Sequence, residues 1–137
     1  MPKKEKEIKI IKPPSKSKLL KLARKLEKEQ DKEFGKSVKD RDGWKCVICG
    51  DTNKPNCHHI VPRENRELRH DFMNGITLCI LHHKFSLKIS PHKNAFEFFC
   101  WLEKNRPEQF LYLKDKVNNI EKIKTEVEIV EVENGAQ

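Results

Sequence analysis

Apolar residues recur every three or four positions in three stretches of the chain, the period of an amphipathic α-helix. The first, Lys18–Lys32, carries leucines on one face and lysines over most of the rest, with Ser15 or Ser17 as the N-cap. The second follows Pro91 and is rich in aromatic residues, and the third begins at Pro107. We expect the leucine stripe and the aromatic residues to pack on the domain. A first helix that contacts DNA is the alternative.

The middle of the chain, residues 41–87, lacks this period and contains short runs with Cys, His, Asn and Gly. His58–Val61 and Ile76–Leu78 have the length of strands, the polar stretch Pro62–Asn74 reads as a loop, and a helix is expected to begin near Ile80. The order strand, loop, strand, helix between flanking helices predicts an α+β fold.

These patterns predict four regions. Residues 1–40 are a basic N-terminal extension, and residues 41–90 are a core that carries the chemistry. Residues 91–120 are a helical part that packs on this core, and residues 121–137 are an acidic tail or strand. Near the two ends, Glu7–Lys12 and Glu126–Glu133 alternate apolar and charged residues. They could pair as antiparallel strands. Two disordered tails, or pairing between two chains, are the alternatives.

The net charge of the chain indicates which class of partner it binds. The 137 residues carry a net charge of +8, and the positive excess lies mainly in residues 1–40. A basic chain of this kind favours a polyanionic partner, most simply nucleic acid. The longest apolar run is far shorter than the roughly 20 residues that a membrane-spanning helix needs, and the N-terminus has no secretory pattern. We therefore expect a cytoplasmic protein without a membrane partner.

Two ligand pairs, Cys46-x-x-Cys49 and Cys79-x-x-His82, are separated by 29 residues. Each pair suits a tight knuckle that supplies two ligands of a tetrahedral site, so together they predict structural zinc, with unligated thiols as the alternative. Cys100 lies between aromatic residues and is expected to be a small buried apolar residue.

Histidines are concentrated in two doublets, His58-His59 and His82-His83. Packing of a hydrophobic core does not explain adjacent histidines. A reactive site does, because one imidazole can hold a metal while its neighbour moves a proton. If His82 completes the zinc site, His83 is free to point toward the first doublet; a surface position for His83 is the alternative. The two isolated histidines are interpreted as polar surface: His70 and His92.

Several ordered motifs taken together resemble the HNH endonuclease family, its small phage-encoded members in particular: Cys46-x-x-Cys49, His58-His59-Ile60-Val61-Pro62-Arg63, Asn74-Gly75-Ile76-Thr77-Leu78-Cys79 and His82-His83. The resemblance implies a ββα-metal (His-Me finger) core with a structural zinc knuckle, flanked by additional helices. It also implies metal-dependent hydrolysis of DNA phosphodiesters that leaves 5′-phosphate and 3′-hydroxyl ends, in the host cytoplasm if the protein is phage-encoded.

Carried over by position, the resemblance makes His59 the general base and Asn74 the residue that braces the loop and so aligns His59. Arg63 is the candidate for contact with the transition state, which completes the catalytic set. His58 and His83 would hold the catalytic metal.

Some relatives have a further histidine where this chain has Leu87, so phosphate and water would fill the remaining positions on the metal. The expected cofactors are structural Zn²⁺ and a catalytic divalent metal, Mn²⁺, Ni²⁺, Co²⁺ or Mg²⁺, with the transition metals preferred because imidazole suits them better than it suits magnesium. Phosphate contacts are expected from four flanking cations: Arg63, Arg66, Arg69 and Lys84.

A non-catalytic zinc-ribbon-like nucleic-acid-binding protein, or an accessory protein of a phage or host DNA-processing complex, is the alternative function. Such a module would have no use for His59, Asn74 and His83. The sequence leaves open the preferred DNA, nicking against double-strand cleavage, and whether the protein acts as a homodimer or with other DNA-processing proteins.

Overall fold

The structure, a computed structural model, describes residues 12–135, with side chains described through residue 128. It is α+β, as expected, and it is mostly helical, with one two-stranded antiparallel sheet. The elements are α1 (Lys16–Arg41), β1 (Asn56–His59), a 3₁₀ turn (Phe72–Asn74), β2 (Gly75–Leu78), a π-helical turn (Leu81–Phe85), α2 (Ala95–Asn105) and α3 (Pro107–Gly135). No helix among the described residues has the length and apolar character needed to cross a membrane.

The sheet is a pair of four-residue strands in which Asn56 lies opposite Leu78 and His59 lies opposite Gly75. β1 begins and ends two residues before the predicted strand. The difference arises because Ile60 and Val61 leave the ladder and bond Asn74 instead. Both strands of the prediction are thus present, with β1 shifted toward the N-terminus.

α1 begins after Ser15, whose hydroxyl caps the first turn, and it continues nine residues past the predicted end. Its last turns bury Phe34 and Val38 against the sheet. The helix predicted in the basic N-terminal region thus contacts the core through its C-terminal turns, which lie beyond the predicted end. The rest of the core joins β2, and Ile60 just after β1, to α2 and α3: Ile60, Ile76, Leu78, Phe98, Leu102 and Leu113.

The leucine stripe of α1 does not pack on the domain. Leu19, Leu22 and Leu26 are each about half exposed, at 50%, 53% and 51%. A helix of 26 residues is about 39 Å long, whereas strands of four residues span about 13 Å. The sheet is therefore too short to cover the first half of α1.

α2 buries one narrow face, formed by Phe98 and Leu102. The residues on its other sides are exposed: Phe96 at 74%, Phe99 at 42%, and Cys100. The expectations that the aromatic residues of this helix all pack inward and that Cys100 is buried are wrong, because an amphipathic helix that meets its neighbours on one side buries only residues spaced three or four apart.

The predicted C-terminal strand Glu126–Glu133 is also wrong, because these residues continue α3. Once a helix is nucleated each further residue adds one hydrogen bond, and opposite charges at Lys122 and Glu126, or Lys124 and Glu128, are spaced to favour it. Its proposed partner, Glu7–Lys12, lies outside the described residues except for Lys12.

Gly75 starts β2 where α1 crosses the sheet at its closest approach. A Cβ added there would collide with Val38 and would lie 2.9 Å from the Phe34 ring. We expect Gly75→Ala to destabilise the protein by about 1–3 kcal/mol through overpacking, measured by urea or thermal unfolding. Gly35→Ala is the control, since its nearest contact would be 3.7 Å and helix propensity favours alanine. Equal stability of the two variants would contradict this account of the α1–sheet contact.

Candidate functional site

A first cluster joins the two ligand pairs predicted from the sequence. Cys46 and Cys49 lie in the turn after α1, Cys79 directly follows β2, and His82 lies in the π-helical turn. Their ligand atoms all fall within 4.8 Å of one another, so this group, the Cys/His cluster, could hold a metal ion.

The separations within the Cys/His cluster fit a tetrahedral ion. Two sulfurs bound at about 2.3 Å and tetrahedral angles lie about 3.8 Å apart, and a sulfur and an imidazole nitrogen lie about 3.6 Å apart. The Cys49 and Cys79 Sγ atoms are 3.8 Å apart. His82 Nδ1 lies 3.7 Å from the Cys46 sulfur and 3.3 Å from the Cys79 sulfur.

The first knuckle, the turn from Cys46 to Gly50, is closed by a backbone hydrogen bond to Cys46. The Gly50 N–H donates to the Cys46 carbonyl at 2.7 Å, and Gly50 adopts a left-handed φ of +76°, which glycine tolerates best. Burial raises the pKa of the Cys46 thiol, but backbone N–H groups from Cys79, Cys49 and Ile48 outweigh it and leave this pKa below its usual value. Those amides favour the thiolate, the form that binds a metal.

A second cluster consists of three histidines: His58 on β1, His83 in the π-helical turn, and His92 just before α2. His83 Nε2 lies 3.0 Å from His58 Nδ1 and 3.3 Å from His92 Nε2. Nitrogens bound to one ion at about 2.1 Å lie about 3.0 Å apart at a right angle and about 3.4 Å apart at the tetrahedral angle. This group, the His cluster, could therefore also hold a metal ion.

Two imidazoles of the His cluster, those of His58 and His83, are held in their neutral form. Burial, followed by the neighbouring histidines, lowers the pKa of His58 to about 3, and burial lowers the pKa of His83 to about 4. Neutral imidazole is the form that ligates metals, so these two side chains need not lose a proton at pH 7 to bind one.

His92 is the member that the sequence did not identify: it is exposed, as predicted, and it also lies in the His cluster. Ser90 brings it to the cluster, because the buried Ser90 hydroxyl donates to the His83 carbonyl at 2.9 Å and accepts from the His92 N–H at 3.3 Å. No local pattern marks this contact, since it joins two turns across the fold. Leu87, the position considered for a further ligand, is 78% exposed.

His59 lies beside the His cluster but outside it. Its Nε2–H donates to the Arg69 carbonyl at 2.8 Å, and its ring stacks on Phe34 with centroids 4.6 Å apart. That hydrogen bond selects the tautomer with the lone pair on Nδ1. Burial lowers the pKa of His59, so the ring is neutral at pH 7 and can accept a proton.

Asn74 is fully buried and joins both ends of the loop that leads from β1 to β2. Its Oδ1 accepts from the Val61 N–H, and its Nδ2 donates to the carbonyls of Val61 and Leu68 at 3.0 and 2.8 Å. Its backbone carbonyl accepts from Ile60. The amide therefore fixes the chain immediately after His59, and the role in catalysis that the resemblance gives to Asn74 stays a prediction.

The four cations expected to contact phosphate have different surroundings. Arg63 and Lys84 line the same cavity as His59 and the His cluster, and Arg66 is 85% exposed. The Arg69 guanidinium pairs with Asp31 and Glu27 of α1, and a phosphate contact by Arg69 stays a prediction. His70 donates to the same Asp31 at 2.8 Å.

The cavity has a volume of about 790 Å³ and is lined by His58, His59, His83 and His92 together with Arg63 and Lys84. It combines a neutral imidazole, three converging imidazole nitrogens that could hold a metal ion, and two cations. These groups are suited to a hydrolytic reaction on an anionic substrate, in which a proton must be removed and negative charge neutralised.

One curated relative, Anaredoxin from Nostoc sp. (strain PCC 7120), is 35% identical over 63 residues, which span 42% of this chain and 82% of that protein. This chain belongs to the anaredoxin family. No protein-family model matches the chain, and no solved structure matches it. More than half of the chain lies outside its match with this anaredoxin.

Proposed function

We propose that this member of the anaredoxin family is a metal-dependent DNA endonuclease that leaves 5′-phosphate and 3′-hydroxyl ends. The observation that carries the proposal is the cavity in which His59, oriented by a carbonyl, lies next to three converging imidazoles and beside Arg63 and Lys84. A protein that only binds nucleic acid would have no need of a neutral, oriented base next to a metal site.

In this proposal β1, β2 and the turn Leu81–Phe85 form the ββα-metal element of an HNH nuclease. The Cys/His cluster holds structural Zn²⁺, for which three thiolates and one imidazole are a usual ligand set. Because His82 and His83 are adjacent, the ion at the Cys/His cluster also fixes where His83 stands in the His cluster.

The His cluster would hold the catalytic ion, which supplies neutralisation of the phosphate charge and stabilisation of the leaving 3′-oxygen. His59 Nδ1 takes the proton of the attacking water, while the Arg69 carbonyl holds the Nε2 proton and stabilises the imidazolium that forms. Arg63 neutralises charge on the phosphate, and Asn74 keeps His59 in place through the loop.

The metal preference of the cleavage reaction tests whether the His cluster holds the catalytic ion. With three nitrogen donors, Mn²⁺, Co²⁺ or Ni²⁺ should support faster nicking of supercoiled plasmid than Mg²⁺ at equal concentration. His92→Ala should raise the metal concentration needed for half-maximal cleavage by about tenfold or more. Lys93→Ala, next to it and outside the cluster, should leave this concentration unchanged. Best cleavage with Mg²⁺ and an unchanged metal requirement in His92→Ala would contradict the assignment.

The name of the relative favours a second candidate, electron transfer by an iron ion at the Cys/His cluster. Thiolates bind iron as well as zinc, and the cluster would then cycle between Fe³⁺ and Fe²⁺. Metal analysis of the purified protein separates the candidates. Zinc gives a colourless protein, whereas thiolate-bound iron gives visible absorption that bleaches on reduction.

A further inference from the structure

α1 supplies groups to the cavity from outside the motifs that predicted it. Asp31 accepts two hydrogen bonds from the Arg69 guanidinium, from Nε at 2.9 Å and from a terminal nitrogen at 2.7 Å. Both side chains are partly buried, with 26% of Asp31 and 18% of Arg69 exposed. A bidentate pair of this kind fixes the orientation of the arginine as well as its position.

Arg69 is also the residue whose backbone carbonyl holds His59. The pair Asp31–Arg69 thus anchors, through the Arg69 side chain, the acceptor that selects the tautomer of the base. His70, the next residue, donates to the same Asp31 carboxylate. The peptide that carries the acceptor is therefore tied to α1 by the side chains on both of its sides.

Asn74 does not perform this task. Its side chain fixes the carbonyls of Val61 and Leu68, one residue before Arg69. Among the described residues, the Arg69–His70 peptide is tied to the rest of the protein mainly by the contacts of these two side chains with Asp31, and of Arg69 with Glu27. One turn further along α1, Phe34 stacks on the His59 ring.

We propose that Asp31 is a positioning residue for the nuclease reaction: it clamps Arg69 so that the Arg69 carbonyl holds His59 with its lone pair on Nδ1. The inference rests on the proposed function. It assigns α1, outside the motif region, a defined part in the active site.

Because Asp31 is negatively charged, a positioning role and a role in binding substrate predict different effects when Asp31 is replaced. Asp31 lines the cavity, so its carboxylate repels a polyanion, and removing the charge should leave DNA binding unchanged or stronger. A loosened base should instead slow the chemical step. We therefore expect Asp31→Asn and Asp31→Ala to lower kcat by about 10- to 100-fold while KM stays constant or falls.

The test combines cleavage kinetics with ¹⁵N shifts of the histidine side chains, which report the tautomer without any DNA or turnover. In the wild type, His59 should be the Nε2–H tautomer; in Asp31→Ala it should be a mixture of both tautomers. Asp40→Asn is the matched control, since Asp40 lies on the same helix but bonds only Lys36 and Trp44. It should retain both the tautomer and kcat. Circular dichroism checks that each variant is folded.

A double-mutant cycle with Arg69→Ala shows whether the two residues act as a unit. If they do, Asp31→Ala with Arg69→Ala should lose no more kcat than either single variant. Wild-type kcat and a wild-type tautomer in folded Asp31→Ala would overturn the clamp while leaving the nuclease intact. If wild-type protein cleaves no DNA with any metal, the proposed function fails, and the tautomer measurement still decides whether Asp31 orients His59.

Discussion

Replacing His59 with alanine should lower metal-dependent plasmid cleavage by about 10²- to 10⁴-fold, the usual contribution of a general base. The physical reason is that His59 is the neutral imidazole whose proton-accepting nitrogen is selected by the Arg69 carbonyl. The measurement is the rate at which supercoiled plasmid becomes nicked or linear under saturating Mn²⁺ or Co²⁺.

The fold should tolerate this change, because His59 is only half-buried and contributes no ligand to the Cys/His cluster. Bound metal per chain and the unfolding temperature should therefore stay near those of the wild type. Glu64→Gln is a control in the same cavity and should cleave at least as fast as the wild type. Cleavage by His59→Ala at the wild-type rate would remove His59 from the mechanism and leave the catalytic proposal without its base.

Removing the ion from the Cys/His cluster should unfold the centre of the protein. Structural zinc contributes apparent binding free energies of about 10–16 kcal/mol in small domains, which equals or exceeds a usual total stability of about 5–15 kcal/mol. Here the cluster joins the turn after α1 to the end of β2, next to strands of four residues each. Strong chelators, or Cys49→Ser, should therefore abolish cooperative unfolding as followed by near-ultraviolet circular dichroism.

Cys49→Ser tests loss of the ion more specifically than Cys46→Ser, because Cys46 is 1% exposed and its replacement would also disturb the core. Cys100→Ser is the matched control, since Cys100 is likewise exposed and lies outside the Cys/His cluster. It should keep one equivalent of tightly bound zinc and the wild-type unfolding transition. Purified wild-type protein that holds no metal, or that keeps its transition after chelation, would refute a structural ion.

Features that depend on short spacings along the chain were predictable from the amino-acid sequence. A periodic apolar face predicts α1, α2 and α3, because a helix repeats every 3.6 residues whatever surrounds it. Two ligand pairs of fixed spacing predicted the Cys/His cluster, because each pair closes a local turn around one ion. The length of each element was less predictable, since α1 and α3 continue as long as neighbouring residues support the next turn.

Contacts between side chains far apart in the sequence depend on how the elements pack in three dimensions. His92 joins the His cluster through the buried Ser90, and Arg69 is bound by Asp31, 38 residues earlier. The leucines of α1 stay exposed because the sheet beneath them is too short. In each case the partner is chosen by how the elements pack, and residues on either side of a position in the sequence carry no information about that choice.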